Sequence, residues 1–358
     1  MTRPSRVVIN KEALRHNYRR IKALAPDSKV MAIIKADAYG HGIVRVAKTL
    51  NDADAFGVAC LEEAQQLRDA GIQNNIVLLE GPHKADALKM IAELSLDIVV
   101  HHHHQLDMLD QVAIPAPLTV WMKIDSGMHR LGFSPEDMPT ALARLETCKQ
   151  VSTIRLMTHL ATANEKGHPL TQHQLDSFEQ LCGKSVLEKT IANSASLLSL
   201  PQTHMDWVRP GLMLYGVSPL VNNTAIDHDL KPVMSLESEL IAIKHLKQGD
   251  PVGYGATWCC PEDMPVGIVA AGYGDGFPRH AKSGTPVLVN NTRCALVGRA
   301  SMDMLTIDLR NQTDAKIGDR VILWGEMLPI EEIAQHADTI PYELLCGVHK
   351  RLEFSERG

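Results

Sequence analysis

The chain has 358 residues, 45% of them hydrophobic and 22% charged, an ordinary globular composition with enough length for two domains or for a barrel with an appendage. Its 36 basic and 42 acidic residues give a net charge of -6 with no long run of either sign, which argues against a nucleic-acid partner. No apolar stretch reaches the roughly 18 to 20 residues that cross a bilayer, and the first ten residues lack the apolar core of a secretory signal, so a cytosolic protein without membrane contact is expected.

Taken in chain order, short apolar runs alternate with amphipathic stretches from residue 11 to about residue 216. The runs are 29–35, 55–60, 75–81, 97–101, 118–124, 152–159, 189–193 and 211–216. Between them, LEEAQQLRDAG closes on Gly71 as helices often do, and PEDMPTALARLETC carries acidic residues in its first turn. Eight apolar strands alternating with helices predict a parallel sheet covered by helices, and eight is the number that closes a (β/α)8 TIM barrel. An open, doubly wound sheet is the alternative. The four histidines 101–104 read as a loop, because adjacent side chains on extended backbone point to opposite faces and cannot share one metal ion. Seven dispersed cysteines without a Cys-x-x-Cys pair indicate neither a disulfide framework nor a zinc site, and no metal is assigned. After about residue 229 the texture becomes β-rich, with segments separated by Gly, Pro, Asn and Asp. This predicts a barrel over 1–229 followed by a mostly antiparallel β domain over 230–358.

Chemistry in such a barrel belongs at the carboxyl ends of its strands. Lys35 closes the first run where the periodicity would allow another aliphatic residue. Burial penalises its ammonium form and favours the free amine, a nucleophile and a base, although a lysine emerging into a loop is the plainer reading of this residue alone. Further strand ends supply Lys123 with Asp125 and Arg130, then His159, then Asn193 and Ser194, then Arg209 and Gly211. Loops after the seventh and eighth strands of barrels frequently hold phosphate, and here they offer a hydroxyl and glycine-exposed amides. A phosphorylated aldehyde cofactor joined to Lys35 accounts for both features.

The blocks KADAYGHG (35–42), MKIDSGMHRLGF (122–133), MTHLATA (157–163), ANSA (192–195), DWVRPGLMLYGVSP (206–219), VGYGATW (252–258), AAGYGDGFPR (270–279) and VGRASMDM (297–304) cover most of the chain. Together and in this order they resemble the alanine racemases, fold-type III enzymes of pyridoxal 5'-phosphate. The resemblance implies interconversion of L- and D-alanine by two bases, with D-alanine supplied for peptidoglycan. Lys35 would hold the cofactor and act as one base, and Tyr254 would be the other. Tyr39, Asn193, Ser194 and the amides of Gly211 and Leu212 would surround the phosphate end. His159 would pack on the pyridine ring, Arg209 would meet the ring nitrogen, and Arg130 the phenolic oxygen. Lys123 matches a lysine that many members carry as a carbamate able to orient Arg130. Arg130 and the backbone of Met302, with Asp303 beside it, would bind the substrate carboxylate, and Tyr273, Arg279 and Arg299 would line the entrance corridor. Because Tyr254 falls in the β domain and Lys35 in the barrel, the resemblance also implies a homodimer whose sites are shared between subunits.

Inversion of a stereocentre needs one group to take a proton from one face and another to return it on the opposite face. Free lysine and tyrosine have pKa values of about 10.4 and 10, so both must be depressed to serve near neutral pH. An arginine at the ring nitrogen only donates, which leaves the ring a weaker electron sink and disfavours transamination. Departures from the common family pattern are Asp37, Leu160 and Ser301, and Lys350 stands where many relatives have a tyrosine that touches the phosphate. Other readings consistent with the sequence are a broad-range amino-acid racemase, a basic-amino-acid decarboxylase of the same fold, and a non-catalytic cofactor-binding protein, the last disfavoured by the β domain.

Overall fold

The computed structural model describes residues 3–358. Eight strands form a closed parallel barrel in sequence order: β2 (Lys29–Ile33), β3 (Ala55–Val58), β4 (Asn75–Leu78), β5 (Leu96–Val100), β6 (Leu118–Lys123), β7 (Val151–Met157), β8 (Lys189–Thr190) and β9 (Trp207–Val208). Val30, Met31, Ala32 and Ile33 are all buried, as expected of a strand covered on one face by the barrel interior and on the other by helices. The open doubly wound sheet is thereby excluded.

Two elements of the barrel differ from the sequence reading. The eighth strand is Trp207–Val208, and the apolar run at 211–216 is instead a tight helical turn, Leu212–Tyr215, with every side chain buried. A short run that is apolar throughout does not distinguish a buried strand from a buried turn. The histidine run is not a loop either: the helix His103–Gln111 starts inside it, and the His102 side chain caps that start by accepting from the His104 amide.

The second sheet has the strand order β13-β16-β15-β14-β17-β10-β1-β18. Its members are β10 (Met234–Leu246), β13 (Met264–Val269), β14 (Pro286–Val289), β15 (Thr292–Leu296), β16 (Leu305–Asp308), β17 (Arg320–Trp324), β18 (Glu353–Arg357) and β1 (Arg6–Asn10), with a separate ribbon of β11 (Pro251–Val252) and β12 (Trp258–Cys259). β10 pairs with β17 along its first half and with β13 along its second, across a bulge at Leu240/Ala242, so the sheet curls back on itself. The pairings are antiparallel except that of β1 with β18. β1 belongs to the stretch 1–229 read as barrel, yet it completes the sheet of the other unit. Alternation explains this: Val7 and Ile9 are buried while Arg6, Val8 and Asn10 are less so, the pattern of a strand with one face on a core.

Toward the amino ends of the strands, the barrel is closed by Arg155, which lies 4.9 Å from the Trp121 ring and 5.2 Å from the Trp207 ring. Its guanidinium pairs with Glu188 at 2.6 Å and Asp97 at 3.3 Å. This plug leaves the opposite rim as the open end. Burial raises the pKa of Glu188, but hydrogen bonds from Lys29, Trp207 and Arg155 bring it down to about 2 from the ordinary 4.5. A carboxylate with a depressed folded-state pKa stabilises the fold above its unfolded value, and that stability is lost as the pH falls. Thermal unfolding of Glu188→Gln should therefore show a deficit against the parent at pH 7 that shrinks between about pH 4.5 and pH 2. A deficit that does not change over that range would contradict this role.

No helix among the described residues is long and apolar enough to cross a membrane, and no cluster of three or more His, Cys, Asp or Glu among them is placed to hold a metal ion.

Candidate active site

At the carboxyl ends of the barrel strands lies a cavity of about 940 Å³. Lys35, Tyr39, Lys123, Arg130, His159, Asn193, Ser194, Arg209, Gly211 and Leu212 all line it. Tyr254, Met302 and Asp303 do not.

Lys35 leaves β2 at the start of an uncommon backbone segment. Ala36, Asp37, Ala38 and Tyr39 have φ of 54°, 52°, 54° and 51°, a left-handed turn that costs roughly 1–2 kcal/mol for each non-glycine residue. Compensating bonds hold it from several sides. The Glu63 carboxylate accepts from the amides of Ala36 at 2.6 Å and Ala59 at 2.8 Å, Asp37 Oδ1 accepts from the Ile43 amide, and the buried His41 ring meets the carbonyls of Ala38 and Tyr39, each at 2.9 Å. Burial lowers the His41 pKa to about 4, so the ring is neutral and Nδ1–H is the donor. The turn aims the Tyr39 phenol across the rim, where its ring packs between Tyr215 at 4.8 Å and Tyr342 at 5.7 Å.

Beside Tyr39 is a cradle for an anion. Ser194 Oγ accepts from the Gly211 amide at 2.9 Å and the Met213 amide at 3.4 Å, at the start of the helix Ser194–Ser199 that Asn193 caps. A Cβ on Gly211 would lie 2.8 Å from Tyr39 Oη. Only glycine leaves this space open to a ligand.

The deeper wall is strongly cationic. Arg209 is buried without a carboxylate partner among its hydrogen bonds, donating to Thr190 Oγ1, to the carbonyls of Thr158 and Ile191, and to His159 Nδ1 at 3.3 Å. Burial lowers its pKa to about 10, which keeps it protonated at neutral pH. Since arginine only donates, His159 Nδ1 must accept. Burial and the neighbouring charges of Arg209, Lys123, Arg130 and Lys35 push the His159 pKa well down, so its ring is neutral with the proton on Nε2. Lys123 is also buried, and desolvation followed by the charges of Arg209, Arg130 and Lys35 lowers it to about 8. Asp125 is engaged by the amides of Gly127 and His129 and by the His129 ring. Such a donor set, with an excess of positive charge and a glycine-framed anion cradle, fits a small molecule bearing a phosphate and a second anionic oxygen.

On the β domain, Tyr254, Met302 and Tyr273 are 67%, 53% and 38% exposed, so a large part of this face is uncovered within one chain. Their loops adjoin. Tyr273 N–H donates to the Ser301 carbonyl at 3.0 Å, the Arg279 guanidinium lies 6.0 Å from the Tyr273 ring, and Arg299 lies beside the Tyr254 turn, 3.3 Å from where a Gly255 side chain would begin. Asp303, its side chain partly exposed, pairs with Arg3 and Arg351 at 3.2 and 2.8 Å.

Comparison with known proteins agrees with both halves of this arrangement. Residues 9–219 match the family described as "Alanine racemase, N-terminal domain", and residues 233–355 match "Alanine racemase, C-terminal domain". The chain belongs to the alanine racemase family. Among its relatives, an alanine racemase of Nitrosococcus oceani is 55% identical, over 96% of this chain and 97% of the relative, and one of Coxiella burnetii is 49% identical over 97% of each. The crystal structure of the biosynthetic alanine racemase of Pseudomonas aeruginosa superposes with a TM-score of 0.97 at 43% identity over 100% of both chains. The structure of alanine racemase from Acinetobacter baumannii gives a TM-score of 0.93 at 38% identity, over 99% of this chain and 100% of the other.

Lys350 does not line the cavity. Its side chain is 87% exposed, and its ammonium lies 3.8 Å from Asp37 Oδ2, so two departures noted separately in the sequence face each other. Tyr342, on the helix Pro341–Cys346, does line the cavity. The usable signal was the "IPYELLC" segment, where a proline at the first helical position marks a helix start. Of the remaining departures, Leu160 is buried in the core, and Ser301 contributes its carbonyl to the Tyr273 turn.

Proposed function

We infer that this chain interconverts L- and D-alanine with pyridoxal 5'-phosphate, supplying D-alanine for peptidoglycan in the cytoplasm. The observation that carries the reading is the cavity rim itself, where Lys35 sits beside a phosphate-sized cradle and an unneutralised set of guanidiniums. Bound there, the cofactor supplies an electron sink that makes the α-proton of an attached amino acid labile. Tyr39, Ser194 and the amides of Gly211 and Leu212 would hold the phosphate end, with Asn193 fixing the helix start behind it. His159, a neutral imidazole, would pack on the ring, and Arg209, a donor that keeps its proton, would meet the ring nitrogen. Arg130 would serve the phenolic oxygen and the substrate carboxylate.

Lys123, at about 8, has an appreciable fraction of free amine at neutral pH, and that amine can add carbon dioxide with release of a proton. The resulting carbamate exchanges a cation for an anion among Lys35, Arg130 and Arg209. Lys35 moves the proton on one face of the substrate. The second proton carrier is Tyr254 of a second copy, whose β domain covers the barrel mouth, so that the exposed face with Tyr254, Tyr273 and Met302 becomes the lid of its neighbour's site.

Borohydride reduction of the holoenzyme followed by peptide mapping tests the reading, and the expected adduct is on Lys35. An adduct on any other lysine overturns it. The barrel residues also predict the effect of a small change: Gly211→Ala should weaken pyridoxal 5'-phosphate by about 10- to 100-fold, the loss of one or two charge-assisted hydrogen bonds. Fluorescence titration checks this, and pyridoxal, which lacks the phosphate, should bind the two proteins equally. Initial rates with alanine, serine, lysine and arginine separate the alanine enzyme from a broad-range racemase or a decarboxylase.

A further inference from the structure

The loop that carries Met302 and the turn that carries Tyr273 are fastened along their backbones. Tyr273 N–H donates to Ser301 O, and Gly274 N–H to Met302 O at 2.9 Å. The approach is so close that a Cβ on Gly272 would lie 2.2 Å from Ser301 O, so any side chain there would drive the two segments apart. Under this junction sits Asp275, whose carboxylate has no exposed surface. Oδ2 accepts from the Gly272 amide at 2.9 Å and from Arg3 at 2.8 Å, and Oδ1 accepts from Arg351 Nε at 2.8 Å.

Both guanidiniums continue to the neighbouring loop. Arg3 donates to the Asp303 carboxylate and, at 2.9 Å, to the Asp303 carbonyl. Arg351 pairs with Asp303 at 2.8 Å and reaches the Met302 carbonyl at 3.4 Å. Two carboxylates and two guanidiniums thus alternate in a closed ring, with the cations drawn from the two ends of the chain. The Met302 amide takes part in none of these bonds.

Burying a carboxylate is costly unless partners satisfy it, and as a source of stability such a ring is a poor substitute for apolar packing. Its distinguishing property is geometric, because each guanidinium fork fixes direction as well as distance. Asp303 is thereby engaged by two guanidiniums of its own chain. What the ring presents outward is Met302 and Tyr273.

We propose that Asp275, clasped by Arg3 and Arg351, is a positioning residue that sets the Met302 loop and the Tyr273 turn to receive the substrate carboxylate in the neighbouring subunit's barrel. This rests on the shared-site reading above. Loss of the clasp removes binding that substrate and transition state share, so KM rises while kcat holds. In the holoenzyme, Asp275→Asn should raise KM for both alanine enantiomers about tenfold with kcat changed by less than about threefold. The absorbance of the bound cofactor should be unchanged, since its ligands are on the barrel. Arg351→Met, a change at a more exposed member of the ring, carries the test if Asp275→Asn does not fold. Unchanged KM, or a fall in kcat at constant KM, overturns the proposal.

A hybrid of Arg351→Met with Lys35→Ala subunits, purified through different tags, separates this inference from the reading beneath it. Its one site with Lys35 borrows an intact clasp from the partner, so KM should return to the parent value. A KM that stays raised shows the clasp acting within its own chain and sinks the proposal. Failure of site sharing itself would appear elsewhere, as absence of complementation between Lys35→Ala and Tyr254→Phe.

Discussion

Replacing Lys35 by alanine is expected to lower alanine racemisation by on the order of 10⁴-fold, the upper end of the range for a single acid–base group, because the residue also anchors the cofactor. The variant should still bind pyridoxal 5'-phosphate without covalent attachment, since Tyr39, Ser194, Gly211 and Arg209 are untouched. Borohydride should then fix the cofactor on the parent protein and leave the variant unlabelled. The left-handed turn that follows Lys35 is held by Glu63, Asp37 and His41, none of which depends on the lysine side chain, so the fold should survive the change. Racemisation within tenfold of the parent would remove Lys35 from the chemistry.

The second large effect concerns Tyr254. Tyr254→Phe keeps the ring and deletes the hydroxyl, and racemisation should fall by about 10²- to 10⁴-fold. L- and D-alanine have equal free energy, so kcat/KM must fall equally in both directions whichever face Tyr254 serves. The asymmetry appears in isotope exchange. Lys35 can still remove and return a proton on its own face, so in heavy water one enantiomer should exchange its α-proton while the other does not. Loss of exchange from both enantiomers alike would mean that Tyr254 is not a face-specific base.

How much of this was legible in the sequence follows from which signals are local. β2 to β6 were readable because parallel barrel strands are buried on both faces and give nearly continuous apolar runs, whereas in β7 only Leu156 and Met157 are buried. β9 was not, because Trp207–Val208 is two residues long while the helical turn Leu212–Tyr215 is more uniformly apolar. The rim residues were found because their types are expensive at strand ends: Lys35, Lys123, His159 and Arg209 needed a reason to be there. Glu63 and Asp275 carry no such mark, since an acidic residue in a first helical turn or a glycine-rich loop is commonplace. Their significance lies in bonds to Ala36, 27 residues away, and to Arg3, 272 residues away. Tyr342 carries no such mark, since a tyrosine in the first turn of a short helix is commonplace, and its place in the cavity wall comes from the packing of that helix against the barrel rim. Tyr254 is marked in the sequence only by the VGYGATW block, since no periodicity or burial signal singles out the exposed face that carries it.

Subunit exchange between Lys35→Ala and Tyr254→Phe tests the two-carrier arrangement most directly. Neither homodimer has a complete site, but each hybrid has one, formed by Lys35 of one chain and Tyr254 of the other. Random pairing makes half the dimers hybrid, so activity should recover to about a quarter of the parent level. A mixture in which hybrids are shown to form and yet remain as inactive as the separate variants would contradict the claim that the amine and the phenol of one site come from different subunits.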